Sequence, residues 1–443
     1  MLDKQLNVVF GYMGMKQKLG LNYDTMHKEC YAYFSQLPDH RASNSSTRLS
    51  DHFMSALAMF QLKYPSMLTF KNKTKAEESN TRGLFHIKNI PSDSCMRETL
   101  DGQSPAVLKP LFERFVKGLD SNGKLEGMKV LGEYYLVPMD GVEFFSSQKV
   151  HCENCQCKKL SNGRTQYSHS MLCCVIVKPG VAPVLPLGAE AINKQDGETK
   201  NDHELCAAKR LWPDLWARYP GYKFLHGGDA LFANAPLIRL VEGAGQKYIL
   251  NAKPESHQCL FDHFNHPANK YAYESTSWAQ NNEYIQAKWC NNLPLNNSSP
   301  DVRTNFLIVS VTDKNGKTTT FSWVTNIKIT AKNLKELVKC GRGRWKIENE
   351  TFNTLKNQGY KFEHNYGHGL KHLSNLLAIL MLLVFLIDQI QQITSIQFKK
   401  ALALTKSKIR LWEEFRAIFR FFEINSFKHL LKILIANHSK SKT

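Results

Sequence analysis

Gly341-Arg342-Gly343-Arg344-Trp345-Lys346-Ile347-Glu348-Asn349-Glu350, continuing through Phe352, Leu355 and Lys356 to His364-Asn365-Tyr366-Gly367-His368-Gly369, is the most informative stretch of this chain. Its period is helical: Trp345, Glu348, Phe352 and Leu355 step by three or four and so share one face. Arg344, Glu348 and Lys356 fall within reach of one another along the same helix. A carboxylate on a core-facing stripe is disfavoured unless a cation meets it, and the candidates are Arg344 one turn back or a metal ion. The plain alternative is a surface ion pair of Arg344 with Glu348, a common arrangement of little energetic consequence. On these residues alone both readings stand.

Upstream of this helix the pattern is that of strands. Val130-Leu131 and Tyr134-Tyr135-Leu136-Val137 are rich in β-formers and stop at Pro138-Met139-Asp140-Gly141, which puts Asp140 just beyond a buried strand. Met171 to Val177 is a second strand and Ala182 to Leu187 a short third, suited to an antiparallel meander. A helix from Glu204 to Trp212, capped by Asp202 or Asn201, leads to Tyr222-Lys223-Phe224-Leu225-His226-Gly227-Gly228-Asp229, where a second aspartate ends a strand. A helix over about 231–241 and a strand over 248–253 complete an α/β pattern with a mixed sheet. Carboxylates at strand ends of such a sheet lie in the crevice where ligands bind. His226 reads as an ordinary strand histidine.

Between this domain and the Glu348 helix lies a β-rich block, with strands over 305–311 and 318–325 joined by the hairpin turn Asp313-Lys314-Asn315-Gly316. The two ends of the chain are helical. Residues 399–442 hold 11 Lys or Arg against three Glu, interleaved with Trp412, Phe415, Phe419, Phe421, Phe422 and Phe427. The expected division is therefore 1–127, mainly helical and a candidate DNA-binding region; 128–253, the first part of an α/β core; 254–335, the β-rich insertion; 336–395, helices carrying a third acid; and 396–443, a basic helical region.

With 58 Lys plus Arg against 39 Asp plus Glu, a net charge of +19 and a pI near 9.3, the chain calls for an anionic partner. The longest apolar run, Leu376 to Ile387, reads as a buried helix too short to span a bilayer. The N-terminus lacks a secretory pattern, and the 11 scattered cysteines fit reduced thiols, so the expected location is cytoplasmic and nucleoid-associated, with no membrane contact. Asp140, Asp229 and Glu348 are the set needed to hold two Mg²⁺ ions roughly 3.5–4 Å apart for an in-line phosphoryl displacement, with Mn²⁺ as a substitute.

The Arg344-to-Glu350 element, followed by Phe352-Asn353 and His364 to Gly369, resembles the third-acid region of bacterial insertion-sequence transposases of the DDE class. Asp140-Gly141-Val142-Glu143-Phe144-Phe145 resembles their first-acid motif and Gly228-Asp229-Ala230-Leu231-Phe232-Ala233 their second. Gln195 to Lys200, with Ala207-Ala208-Lys209-Arg210, resembles the segment between them. The resemblance implies an RNase H-like mixed sheet flanked by helices with a β-rich insertion. It also implies an enzyme that hydrolyses DNA at the element ends and transfers the freed 3′-hydroxyl into target DNA. Asp140, Asp229 and Glu348 would be catalytic and metal-binding, Arg344 and Lys356 would contact the substrate, and the partners would be double-stranded DNA and a second copy of the chain. The alternatives are a structure-directed nuclease on the same core and an inactive DNA-binding derivative. Two positions depart from the tyrosine, arginine, glutamate, lysine signature of one branch of the family: Gly341 stands where the tyrosine would be, and Leu355 where the lysine would be, with Lys356 one place later. A separate group, His151-Cys152-Glu153-Asn154-Cys155-Gln156-Cys157 with His169, has zinc-ligand chemistry at Cys152, Cys155 and His169, against a plain group of reduced thiols on a hairpin.

Overall fold

A computed structural model describes residues 18–74, 77–193, 203–265 and 273–440. Its centre is the strand that carries Asp140. This strand, β1 (Tyr135–Ser147), pairs antiparallel with β3 (Thr165–Ile176), whose far edge takes both β2 (Gln156–Lys159) and β4 (Leu185–Ile192). Along its other edge β1 runs parallel to β5 (Phe224–Gly228), and β5 parallel to β6 (Lys247–Asn251). Three antiparallel strands followed on the other side of β1 by two parallel ones, with helices on the faces, is the RNase H-like mixed sheet. Parallel neighbours need crossovers, and helices supply both.

The strand of Asp140 is longer than the sequence suggests. Pro138 and Gly141 read as its end, yet Val142 pairs with Met171 and Ser147 with Tyr167, so β1 continues past β5 and Asp140 lies within it. The apolar residues of Val142-Glu143-Phe144-Phe145 still have a partner strand and a buried face, and that outweighs the local turn signal. The β-rich stretch forms no separate layer. Strands β7 (Glu274–Gln280), β8 (Glu283–Asn296), β9 (Ser299–Thr312) and β10 (Thr318–Thr325) extend the same sheet, with β10 zipped antiparallel onto β6. The hairpin turn at Asp313–Gly316 is as expected, with Gly316 in the left-handed conformation it requires.

Among the described residues, six α-helices precede the sheet: α1 (Tyr23–Phe34), α2 (Leu49–Gln61), α3 (Met67–Thr74), α4 (Glu78–Phe85), α5 (Asp93–Asp101) and α6 (Lys109–Ser121). Helix α7 (Glu204–Arg218) links β4 to β5, α8 (Ala235–Gly243) links β5 to β6, and α9 (Gln258–Asn265) precedes β7. The expected cap at Asn201 or Asp202 and the segment from Gln195 to Lys200 lie outside the described residues. After the sheet come α10 (Leu334–Arg342), α11 (Asn353–Asn357), α12 (Leu373–Thr394), α13 (Ile396–Thr405), α14 (Lys408–Phe421) and α15 (Phe427–Lys440).

Helix α12 corrects the reading of the apolar run, because its 22 residues are long and apolar enough to cross a membrane by length and composition. In this fold it is almost wholly buried, packed against β4 and against α2 and α6. It is also where the two helical ends, treated as separate regions in sequence, become one body. Asp388 of α12 accepts hydrogen bonds from Tyr23 Oη (2.6 Å), Gln61 Nε2 (2.7 Å) and Tyr360 Oη (2.6 Å), and pairs with Lys63 Nζ at 2.8 Å. The Lys63 ammonium also lies over the rings of Tyr360 and Trp412, at 4.3 and 4.4 Å from their centroids.

Candidate active site

The register of the parallel strands brings the first two acids to the same level of the sheet. Pro138 pairs with Gly227, so Asp140 within β1 and Asp229, one residue past the end of β5, each lie two residues past one register pair of neighbouring strands about 4.8 Å apart. Beyond Gly228 the chain turns away from the sheet: Asp229 Oδ1 accepts the backbone N–H of Leu231 at 2.9 Å, and Asn234 then caps α8.

The third acid arrives through an irregular helix. Helix α10 ends at Arg342, the chain turns at Gly343 and Arg344, and residues Ile347–Phe352 form a π-turn before α11. This breaks the step of 3.6 on which the sequence reading rested. Phe352 and Leu355 are buried as expected, but Trp345 is 49% exposed and stands off the core face, its ring 5.2 Å from the Arg344 guanidinium carbon. Arg344 is the buried member, and its Nη1 lies 3.1 Å from Asp140 Oδ2 and 2.8 Å from Glu348 Oε1. The two readings of the arginine and glutamate thus merge: an ion pair is present, and it is shared with the strand aspartate 204 residues upstream.

The electrostatics of the centre show an excess of negative charge. Burial pushes the Asp140 carboxyl up, Arg344 opposes it, and Glu348 and Glu204 add to the push, leaving it at about 7. Glu204, in the first turn of α7, is absent from the sequence-based set of acids. Its carboxylate lies against Gly141, where a Cβ would come within 2.0 Å of Oε1. Burial raises the Glu204 carboxyl, and the charge of Asp229 raises it further. One acid therefore feels both strand aspartates. The signal available in sequence was Gly141 itself: beside an aspartate it reads as a turn residue, whereas in the folded strand it gives clearance to a carboxylate.

Lys356 is placed apart from the acids in its interactions. Its Nζ pairs with Glu363 at 2.7 Å, and the side chain lines a cleft of about 610 Å³ together with Lys63, Lys73, Lys361, Arg416 and Arg420. Cys152, Cys155 and His169 come together, and His368 joins them. His226 is buried within β5 and accepts the indole N–H of Trp216 at 3.0 Å, which is the role of a structural strand histidine.

A comparison with curated proteins gives no match. The family model for the transposase DDE domain matches residues 207–386, a span that begins in α7, takes in β5 with Asp229 and the π-turn with Glu348, and ends within α12. The matched part of the chain, on a mixed sheet whose neighbouring strands carry two aspartates and whose later helix adds a glutamate, is similar to the DDE domain of transposases.

Proposed function

We propose that this chain is a Mg²⁺-dependent DNA transposase that hydrolyses a phosphodiester at each element end and transfers the freed 3′-hydroxyl into target DNA. The observation that carries the reading is the meeting of Asp140, Glu348 and Arg344 beside Asp229 and Glu204. The donor set fits the metal: all four acids offer hard oxygen ligands, and a cation, the Arg344 guanidinium, already sits between two of them. When bound, Mg²⁺ activates the attacking oxygen and stabilises the leaving oxygen.

The chain's own residues do the rest. Asp140 gives up the proton that its crowded surroundings favour, so that the carboxylate is free to act as a ligand. Arg344 can then turn from the acids toward the phosphate, which it suits as a planar, always charged donor. Water attacks phosphorus and the P–O3′ bond breaks, leaving a 3′-hydroxyl and a 5′-phosphate. That hydroxyl attacks a target phosphodiester in the same way, with no covalent protein intermediate. The basic cleft around Lys356 and Lys361 binds backbone phosphates outside the reacting bond. Bringing two ends together makes a dimer on DNA the working assembly.

The test is Asp140→Asn, Asp229→Asn and Glu348→Gln, each assayed with Mg²⁺ on DNA bearing the element ends and on scrambled ends. Each variant is expected to abolish cleavage and joining while DNA binding persists. Retained cleavage in any one removes that residue from the site, and cleavage by the native chain that ignores end sequence and never joins strands identifies a nuclease instead.

A further inference from the structure

Outside the acidic centre, one cluster has the chemistry and the spacing of a second metal site. Cys152 and Cys155 lie in the loop that follows β1, His169 lies on β3, and His368 comes from the segment between α11 and α12. Cys152 Sγ and Cys155 Sγ are 3.9 Å apart, and His169 Nε2 is 3.4 Å from the first and 3.5 Å from the second. His368 Nε2 is 3.5 Å from Cys155 Sγ, and the four donor atoms lie within 4.8 Å of one another. A tetrahedron with Zn–S of about 2.3 Å and Zn–N of about 2.0–2.1 Å has edges of about 3.8 Å between sulfurs and about 3.5 Å between sulfur and nitrogen. The four sulfur–sulfur and sulfur–nitrogen separations given above match those edges. The two sulfurs are well beyond bonding distance, so the pair is a dithiol and not a disulfide.

The surroundings hold the ligands in place. His169 stacks on Phe144 with centroids 6.0 Å apart, and His368 packs on Phe145 at 4.4 Å, both phenylalanines belonging to β1. Asn154, inside the Cys152–Cys155 turn, donates its amide to the carbonyl of Lys371, and the backbone N–H of Cys152 points at Cys155 Sγ. The carboxylate of Asp101 receives the N–H groups of Leu370, Lys371, His372 and Leu373, fixing the chain on the far side of His368.

We infer that Cys152, Cys155, His169 and His368 bind a structural Zn²⁺ ion that fastens the segment following the Glu348 helix to the strand carrying Asp140. The ion has four protein ligands and no open position, so it takes no part in the chemistry of the acids. Its role is to fix the exit of the third-acid helix against the first-acid strand. His368 is 213 residues from Cys155 in sequence, and the site closes only in the folded chain.

Metal content of the full chain, purified in reducing buffer without chelator, tests this by elemental analysis. One zinc per chain is expected in the native protein and in His368→Cys, which keeps four ligands. Cys155→Ser should hold less than a tenth of that, and His368→Ala should lose its zinc to a chromogenic chelator far faster than the native chain. Native protein refolded with Co²⁺ in place of zinc should show the intense visible bands of a tetrahedral site and a thiolate charge-transfer band, which makes the result independent of whether a variant folds. A native chain with neither zinc nor tetrahedral cobalt, or with full zinc after Cys155→Ser, overturns the site. Zinc release unchanged by His368→Ala overturns the part of His368. None of these readouts depends on DNA cleavage, so they stand or fall apart from the acidic centre.

Discussion

Replacing Asp388 by alanine isolates the polar node on which both helical ends converge. The side chains of Lys63 and Asp388 are 1% and 2% exposed, so the substitution leaves an ammonium buried with only the Gln61 carbonyl and two aromatic faces around it. Removing one partner of a buried pair costs about 3–5 kcal/mol. A second estimate gives the same scale: the lysine can escape by losing its proton, which at pH 7 costs about 4.6 kcal/mol from an ordinary value near 10.4. Burial already holds the Lys63 ammonium below its ordinary value, with Asp388 opposing the shift, so losing the aspartate lowers it further. The expected loss is about 4 kcal/mol, with more from the stranded hydroxyls of Tyr23 and Tyr360. The signature is in the pH dependence. A lysine neutral in the folded chain and protonated in the unfolded one makes stability rise with pH, by about 1.4 kcal/mol per unit from pH 7 toward 10. Urea unfolding of native, Asp388→Ala and Asp388→Leu/Lys63→Met chains between pH 6 and 9 measures both effects. The double variant, with no buried charge, should recover most of the loss and the native pH slope. A single variant that loses under about 1.5 kcal/mol, far below the scale for a stranded buried charge, or a double variant no better than the single, would refute the reasoning.

Glu204→Gln removes one charge beside Asp140 and Asp229 and should raise the Mg²⁺ concentration needed for half-maximal cleavage about tenfold, equivalent to about 1.4 kcal/mol; an unchanged metal dependence with intact folding would assign Glu204 to packing alone. His27 and His226 are fully buried and burial holds both imidazoles down at about 3. Below the ordinary value of about 6.5 the unfolded chain takes up protons that these folded sites refuse, so stability is complete above pH 6.5 and falls by about 2 kcal/mol per histidine on going to pH 5. Unfolding of His27→Leu across that range should show a slope smaller by one proton. Gly341→Tyr should destabilise the chain, because even a Cβ there would lie 2.4 Å from the Trp323 ring; a variant that melts no lower than the native chain would show that the ring can move aside.

The sequence displays what local pattern and strand order can encode. Periodicity and β-propensity mark β3, β5, β6 and the β9–β10 hairpin, and Asp229 just past the end of β5 follows from them. Three features depend on tertiary partners and escape that reading. The end of β1 is hidden behind Pro138 and Gly141 because only β3 can tell a turn from a continuing strand. The π-turn at Ile347–Phe352 has no signature in apolar spacing, so Trp345 reads as core where the fold exposes it, and Arg344 is left open between core and surface where the fold buries it. Glu204 and His368 need contacts spanning 63 and 213 residues, to Gly141 and Cys155, which no local window contains.

The surroundings of Gly341 tie these features together. Trp323 of β10 fills the volume over Gly341 and stacks on Phe321, their centroids 5.7 Å apart and their planes 4° from parallel. Arg342, one residue on, lies over Phe321 at 5.7 Å and makes a two-pronged pair with Glu283 of β8, at 2.7 and 2.9 Å. Helix α10 is thus seated on an aromatic and ionic platform built by strands β8 and β10, two residues before Arg344 reaches the acids. Because β10 is zipped onto β6, and β6 onto β5, the same sheet that carries Asp140 and Asp229 also sets the position of the helix that carries Glu348. The β-rich strands are therefore part of the machinery that holds the three acids in one frame.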